Sequence, residues 1–176
     1  MSIISRKICL VGDFAVGKTS LIRRFVEQQF SDEYLSTVGV KMSRKTVEVP
    51  IDDSQQTQEL LFVIWDIEGS NKFKSIAPTY FQGAKGAIIV GDITQPETLE
   101  NIPEHIQSFI RVNPKSNIAI ALNKSDLIEA EYLDNILQNY QQKFGNIDYV
   151  LATYLTSAKT GNNVDELFKI LAKSLI

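Results

Sequence analysis

Eight residues constrain this chain more than any others: Gly12-Asp13-Phe14-Ala15-Val16-Gly17-Lys18-Thr19, two glycines five positions apart and then Lys and Thr. The apolar run Ile8-Cys9-Leu10-Val11 precedes them and reads as a buried strand. Residues 20–29 follow and read as a helix, with Leu21, Ile22, Phe25 and Val26 on one face. A strand, a glycine loop and a helix in this order form the phosphate-loop pattern. A polyphosphate needs many N–H donors, and a loop entering a helix N-terminus supplies them along with the favourable end of the helix dipole. Lys18 is placed to reach the β- and γ-phosphates, and Thr19 to offer its hydroxyl to Mg²⁺. Taken alone the pattern also arises by chance on flexible loops. The flanking strand and helix argue against chance, but they do not name the nucleotide.

The rest of the chain alternates strand-like and helix-like runs, which predicts an α/β fold with a mostly parallel sheet. Residues 45–51 and 60–65 read as two strands joined as a hairpin through the polar residues 52–56. Residues 86–90, 118–122 and 149–155 read as further strands. Pro103 suits the first turn of a helix running to about Arg111, with Ile102, Ile106, Phe109 and Ile110 on its apolar face. A helix over 131–144 is ended by Gly145. The stripe Val164, Leu167, Phe168, Leu171 and Leu175 marks the last helix. All these stripes read as core. The length of 176 residues suits one domain with one core.

Two further runs bear on the choice of base. Asn123-Lys124-Ser125-Asp126 follows the strand at 118–122, where ligand loops fall in an open α/β sheet. Guanine presents N1–H and an exocyclic amine side by side. A carboxylate accepts both, and adenine has no such pair, so Asp126 reads as a guanine reader. Lys124 can lay its stem along the base while Asn123 ties loops together. Thr156-Ser157-Ala158-Lys159 follows the last strand, and its backbone can meet the guanine carbonyl. Each run alone is equally readable as a polar capping loop.

Residues 60–65 end in Asp66-Ile67-Glu68-Gly69. An acid at that strand end can hold Mg²⁺ through water, and the Gly69 N–H can meet a γ-phosphate. Thr37 is a second sensor: its hydroxyl can join the metal only when a γ-phosphate is present, which orders a loop with GTP and frees it with GDP. Alone, Thr37 reads as an exposed loop residue.

With these motifs in order, the whole chain resembles a Ras-superfamily small GTPase, nearest to the Rab branch. The resemblance implies a phosphate-loop G domain over residues 1–176, a six-stranded sheet with one antiparallel hairpin, and about five helices. It implies nucleotide contacts from Asp13, Phe14, Ala15, Val16, Gly17, Lys18, Thr19, Ser20, Phe30, Tyr34, Thr37, Gly69, Asn123, Lys124, Asp126, Ser157, Ala158 and Lys159. Phe30 is expected to stack on the guanine opposite Lys124, and Tyr34 to close over the phosphates. Thr19, Thr37 and Asp66 are expected at Mg²⁺, and Lys18, Thr37, Gly69 and Ser70 at the chemistry. Residues 37–42, Trp65 and residues 70–80 are the expected surface for effectors and for exchange and activating factors. Trp65 and Tyr80 match an aromatic cluster of that surface, but Met42 stands where phenylalanine is usual.

The departures are specific. Ser70 stands where the family has the glutamine that orients the attacking water, and Asn71 replaces a glutamate. Glu68 replaces a small alanine. Phe14 and Ala15 occupy loop positions that are mostly small, often glycine. No cysteine lies near Lys173-Ser174-Leu175-Ile176, so a prenyl anchor is not expected on this end, and Ser2 excludes N-myristoylation.

The net charge of −3 shows no basic excess, which argues against a nucleic-acid partner. The single cysteine, Cys9, cannot form an internal disulfide and reads as a buried structural thiol. No apolar run is long enough to span a bilayer. A cytoplasmic monomer is expected. His105, the only histidine, reads as surface or structural. The leading expectation is a GDP/GTP switch with Mg²⁺ that hydrolyses GTP slowly; the alternative is a GTP-binding adaptor with almost no hydrolysis. A phosphoryl-transferring kinase is disfavoured, since no lid or acceptor-binding insertion is apparent.

Overall fold

The computed structural model describes residues 3–33, 36–51 and 56–176. In chain order the elements are β1 (Ile4–Gly12), α1 (Lys18–Glu27), β2 (Val40–Pro50), β3 (Thr57–Ile67), α2 (Ala77–Phe81), β4 (Gly86–Asp92), α3 (Pro96–Glu100), α4 (Ile102–Val112), β5 (Asn117–Asn123), α5 (Ala130–Phe144), β6 (Val150–Leu155) and α6 (Val164–Lys173), with a 3₁₀ turn at Ser125–Leu127. The strands form one sheet in the order β2-β3-β1-β4-β5-β6. Only β2 and β3 are antiparallel, in register from Val40 opposite Ile67 to Pro50 opposite Thr57. The other pairings are parallel, so β1, β3, β4, β5 and β6 all deliver their C-terminal loops to one edge.

The sheet is covered on both faces because its inner strands are apolar at successive positions rather than alternate ones. Ile8, Leu10, Leu60, Phe62 and Ile64 pack on one side with α1 and α6. Cys9, Val11, Ile67, Ile89 and Ile120 pack on the other with α4 and Phe144 of α5. On the first side Phe25 of α1 stacks on Phe168 of α6 at 3.9 Å, and both meet Phe62 edge-on. Burial pushes the Cys9 thiol up to about 12, in keeping with an inert core thiol.

The fold is the one expected, with three adjustments. There are six helices among the described residues, not about five, because Pro78 and Pro96 open two single-turn helices too short to show a periodic stripe. Helix α1 ends at Glu27, since Gln28 takes a left-handed conformation (φ 56°) and its N–H returns to the Arg24 carbonyl. Strand β2 begins at Val40 rather than 45. It is an edge strand whose first residues are largely exposed, so its sequence carries no apolar run. Of the expected hairpin turn, residues 52–55 lie outside the described residues; the Ile51 N–H donates to the Gln56 carbonyl at 2.9 Å.

Candidate functional site

At the C-terminal edge of the sheet, the loop between β1 and α1 wraps the start of α1. Gly17 there has φ +99°, a conformation that favours glycine, and a Cβ on it would fall 2.3 Å from Asn123 Nδ2. The Lys18 ammonium folds back into the loop and donates to the carbonyls of Gly12 at 2.9 Å and Asp13 at 2.7 Å. Lys18 is buried, and burial pushes its pKa down to about 8 against the opposing pull of Asp66, Asp13 and Glu68. A buried ammonium within a glycine loop that opens a helix is a site arranged for an anion.

That loop forms one wall of a cavity of about 260 Å³. Phe14, Ala15, Gly17, Lys18, Thr19, Ser20, Phe30, Thr37, Gly69, Asn123, Lys124, Asp126, Ala158 and Lys159 all line it, so most of the residues singled out in the sequence converge on one space. Asp13, Val16, Asp66, Ser70 and Ser157 do not line it. Tyr34 lies outside the described residues. Ser31, Asp32, Glu33, Ile67 and Leu127 complete the wall without having been anticipated.

One end of the cavity is a cluster of oxygens. Thr19 Oγ1 lies 2.5 Å from Thr37 Oγ1 and 2.5 Å from Asp66 Oδ2, and Thr37 Oγ1 donates to the same Oδ2 at 3.1 Å. Asp66 is 2% exposed and its Oδ1 has no hydrogen-bond partner among the described residues. Burial raises the pKa of its carboxyl, against the bonds from Thr19 and Thr37 and the charge of Lys18. Two hydroxyls and a buried carboxylate with one oxygen left over are a hard-oxygen set that suits Mg²⁺.

The opposite end is cross-linked to the phosphate loop. Asn123, 1% exposed, donates from Nδ2 to the Val16 carbonyl at 3.0 Å and accepts from Thr156 Oγ1 at 3.1 Å. Lys124 adopts a left-handed backbone (φ 67°), and its ammonium donates to the Ala15 carbonyl at 2.9 Å and pairs with Asp92 Oδ2 at 2.6 Å. The exposed Asp126 accepts a bond from the buried Ser157 Oγ at 2.6 Å, which fixes its carboxylate at the rim. Arg24 of α1 holds the next loop by donating to the carbonyls of Ala158 and Lys159 at 2.7 and 2.5 Å.

Several of these supports escaped the sequence reading. Asp92 ends an otherwise apolar buried strand, and a carboxylate there needs a partner, so it was discoverable in principle. Arg24 gave no signal, being one of several charges on α1. His105 is 7% exposed rather than at the surface. Its Nε2 bonds Asp13 Oδ1 at 2.7 Å, and Asn101 donates to Asp13 Oδ2 at 2.7 Å. Asn101 and His105 stand four apart beside the apolar stripe of α4, which is the spacing that could have shown them.

Beside Gly69 the departures from the family pattern are in mutual contact. The Ser70 hydroxyl donates to Glu68 Oε1 at 2.5 Å, and Glu68 Oε2 accepts the Gly39 N–H at 2.7 Å. Gly69 itself admits no side chain, since a Cβ there would lie 2.5 Å from the Gly12 carbonyl oxygen. The neighbouring surface carries exposed Val38, Met42 and Ile76, with Trp65 half-buried, its ring 3.6 Å from the Lys7 ammonium and 6.3 Å from Tyr80.

A glycine loop between a central parallel strand and its helix, with loops from β3, β5 and β6 gathered around it, defines a phosphate-loop α/β protein. Comparison with known proteins makes this more specific. The Ras family model matches residues 7–176. The chain is 39% identical to the GTP-binding protein ypt5 of Schizosaccharomyces pombe, over 98% of this chain and 78% of that protein. It is 35% identical to Ras-related protein Rab-13 of Mesocricetus auratus, over 97% and 79%, and 36% identical to Ras-related protein Rab-22A of Homo sapiens, over 96% and 82%. The chain belongs to the Ras family of small GTPases, on its Rab-like side, and is a GTP-binding molecular switch. No helix among the described residues is long and apolar enough to cross a membrane.

Proposed function

We propose that the 260 Å³ cavity takes GDP or GTP with Mg²⁺, and that GTP turnover by this chain alone is slow. The observation that carries the reading is the convergence, on one cavity, of an anion-binding loop, a hard-oxygen cluster and a rim carboxylate. The backbone N–H groups of residues 13–19 face the phosphates, Asp13 and Val16 taking part only through the main chain. Lys18 offsets β/γ charge, and the Gly69 N–H meets the γ-phosphate. Thr19, Thr37 and Asp66 would hold Mg²⁺, and the metal would supply charge neutralisation at the phosphates. Asp126, oriented by Ser157, accepts both guanine donors; Lys124 and Phe30 flank the base; the backbone of Ala158 and Lys159 meets its carbonyl. Effectors and regulators dock on residues 37–42, Trp65 and residues 70–80.

Slow turnover is supported by what surrounds Gly69. The Ser70 hydroxyl is directed to Glu68, Glu68 is tied to the Gly39 N–H, and neither residue lines the cavity. Phe14, 51% exposed, stands in the cavity wall where a small residue is usual. The same observations favour a second reading, a GTP-binding adaptor whose state follows nucleotide supply. Two measurements decide. The nucleotide released when the purified protein is denatured should be GDP or GTP; recovery of adenine nucleotide, or of none, overturns the site. Single-turnover cleavage of labelled GTP should run at or below the Ras-like intrinsic rate of about 10⁻⁴ per second. A rate well above that overturns slow turnover, and no cleavage at all selects the adaptor.

A further inference from the structure

Glu68 and Ser70, the two residues beside Gly69 that depart from the family pattern, act together. The β2–β3 ladder ends at Val40 opposite Ile67, and the next rung would pair Gly39 with Glu68. Half of that rung is ordinary: the Glu68 N–H donates to the Gly39 carbonyl at 2.9 Å. The other half is not. Gly39 has φ +71°, which turns its N–H out of the ladder, and the Glu68 side chain takes it at 2.7 Å in place of a backbone carbonyl. The second carboxylate oxygen is held by Ser70. An alanine at 68 has no acceptor to offer, and the rung would stop at one bond.

We propose that Glu68 is a positioning residue: its carboxylate, steadied by Ser70, latches the Thr37 segment to the end of β3 whether GDP or GTP is bound. The proposal rests on the guanine-nucleotide reading above. Thr37 lies two residues before Gly39, so a latch at Gly39 keeps the Thr37 hydroxyl beside Thr19 and Asp66 without help from a γ-phosphate. A hydrogen bond to a carboxylate is about twice as strong as a neutral one, enough to shift a loop equilibrium toward closure. Two consequences follow. The surface carrying Val38 and Met42, on either side of Gly39, is set in both nucleotide states and responds little to hydrolysis. GTP also meets a loop already closed, so its affinity is not reduced by the fraction of time the loop is open.

The test is amide hydrogen exchange at Gly39 in the full chain loaded with GDP or with a non-hydrolysable GTP analogue. Wild-type protection at Gly39 should agree within about threefold between the two nucleotides. Glu68→Ala should lose at least about tenfold of that protection with GDP and regain it with the analogue, so that protection becomes nucleotide-dependent. Its affinity for the analogue should fall relative to GDP, as conformational selection requires. Glu68→Gln keeps one acceptor and should fall between wild type and Glu68→Ala, and it serves if the alanine variant does not fold. Wild-type protection confined to the analogue-bound state overturns the latch, as does unchanged GDP-state protection in both variants. Failure to load any guanine nucleotide overturns the site and the latch together, which separates that result from failure of the latch alone.

Discussion

The two ends of the cavity are built on different principles. At the base end each side chain is fixed by a neighbour from another segment of the chain: Asn123 to Val16 and Thr156, Lys124 to Ala15 and Asp92, Asp126 to Ser157. Asn123, Asp92, Thr156 and Ser157 are all at most 1% exposed, so the bonds are shielded from water and strong. At the γ-phosphate end Thr37 sits on a loop with Val38, 88% exposed, beside it, and the segment is tied by a few bonds to Asp66, Thr19 and Glu68. A rigid end can select a base, because a preformed partner leaves the wrong base unpaired. A lightly tied end depends on a few bonds, so the loss of one of them, such as the Glu68 bond to Gly39, is enough to make it report a phosphate.

The sharpest way to break this division acts on the anchor both ends share. Lys18→Ala should weaken GDP binding by about 3 kcal/mol or more, since phosphate charge is left without its buried partner. Isothermal titration checks this, and unchanged affinity would remove the phosphate-loop assignment.

A smaller change confined to the rigid end comes next. Asp126→Asn should weaken GTP by about 1–3 kcal/mol and favour xanthosine triphosphate, whose carbonyl replaces the guanine amine. Competition between the two nucleotides measures it; a retained guanine preference would mean that Ser157 and Asp126 are not the base reader.

At the lightly tied end, Ser70→Gln alone should do little for hydrolysis while Phe14 remains in the wall. With Phe14→Gly added, single-turnover cleavage should rise more than the two single changes together, by about tenfold or ~1.4 kcal/mol. Strict additivity across the four proteins would show that Phe14 and Ser70 act apart.

The smallest effect probes the tie from the phosphate loop to α4. Burial pushes the Asp13 carboxyl up, but the bonds from His105 and Asn101 outweigh it and hold its pKa below the usual value. A depressed folded pKa means stability present above the ordinary carboxylate range and lost as pH falls through the folded value. Asn101→Ala should therefore cost about 1 kcal/mol near neutral pH, and the deficit should shrink on acidification. Urea unfolding at several pH values reads it; a deficit that does not change with pH would mean that the Asn101 bond does not act through the charge of Asp13.

The fold and the glycine-loop cavity were legible because their signals are local. A glycine loop needs specific residue types in a row, and a buried strand needs several consecutive apolar residues. What stayed hidden depends on partners far apart in the chain. Arg24 reaches residues more than 130 positions away, and nothing near it marks that role. Asp13 looked like a loop residue facing phosphate, yet its side chain turns to Asn101 and His105, which no local pattern connects to it. Glu68 was visible as an oddity, but its direction required knowing that Gly39 turns its N–H out of the ladder.

The Arg6 guanidinium donates from Nε to the Leu175 carbonyl at 2.9 Å, pinning the start of β1 to the segment just past α6. Since β1 runs from there to the phosphate loop, Arg6 and Leu175 meet at the opposite edge of the sheet from the cavity. A fluorophore or a surface tether attached near Arg6 or Leu175 would occupy that far edge. Such attachments leave the cavity and the Val38–Met42 surface clear, so the molecule can be immobilised or tagged without being blocked.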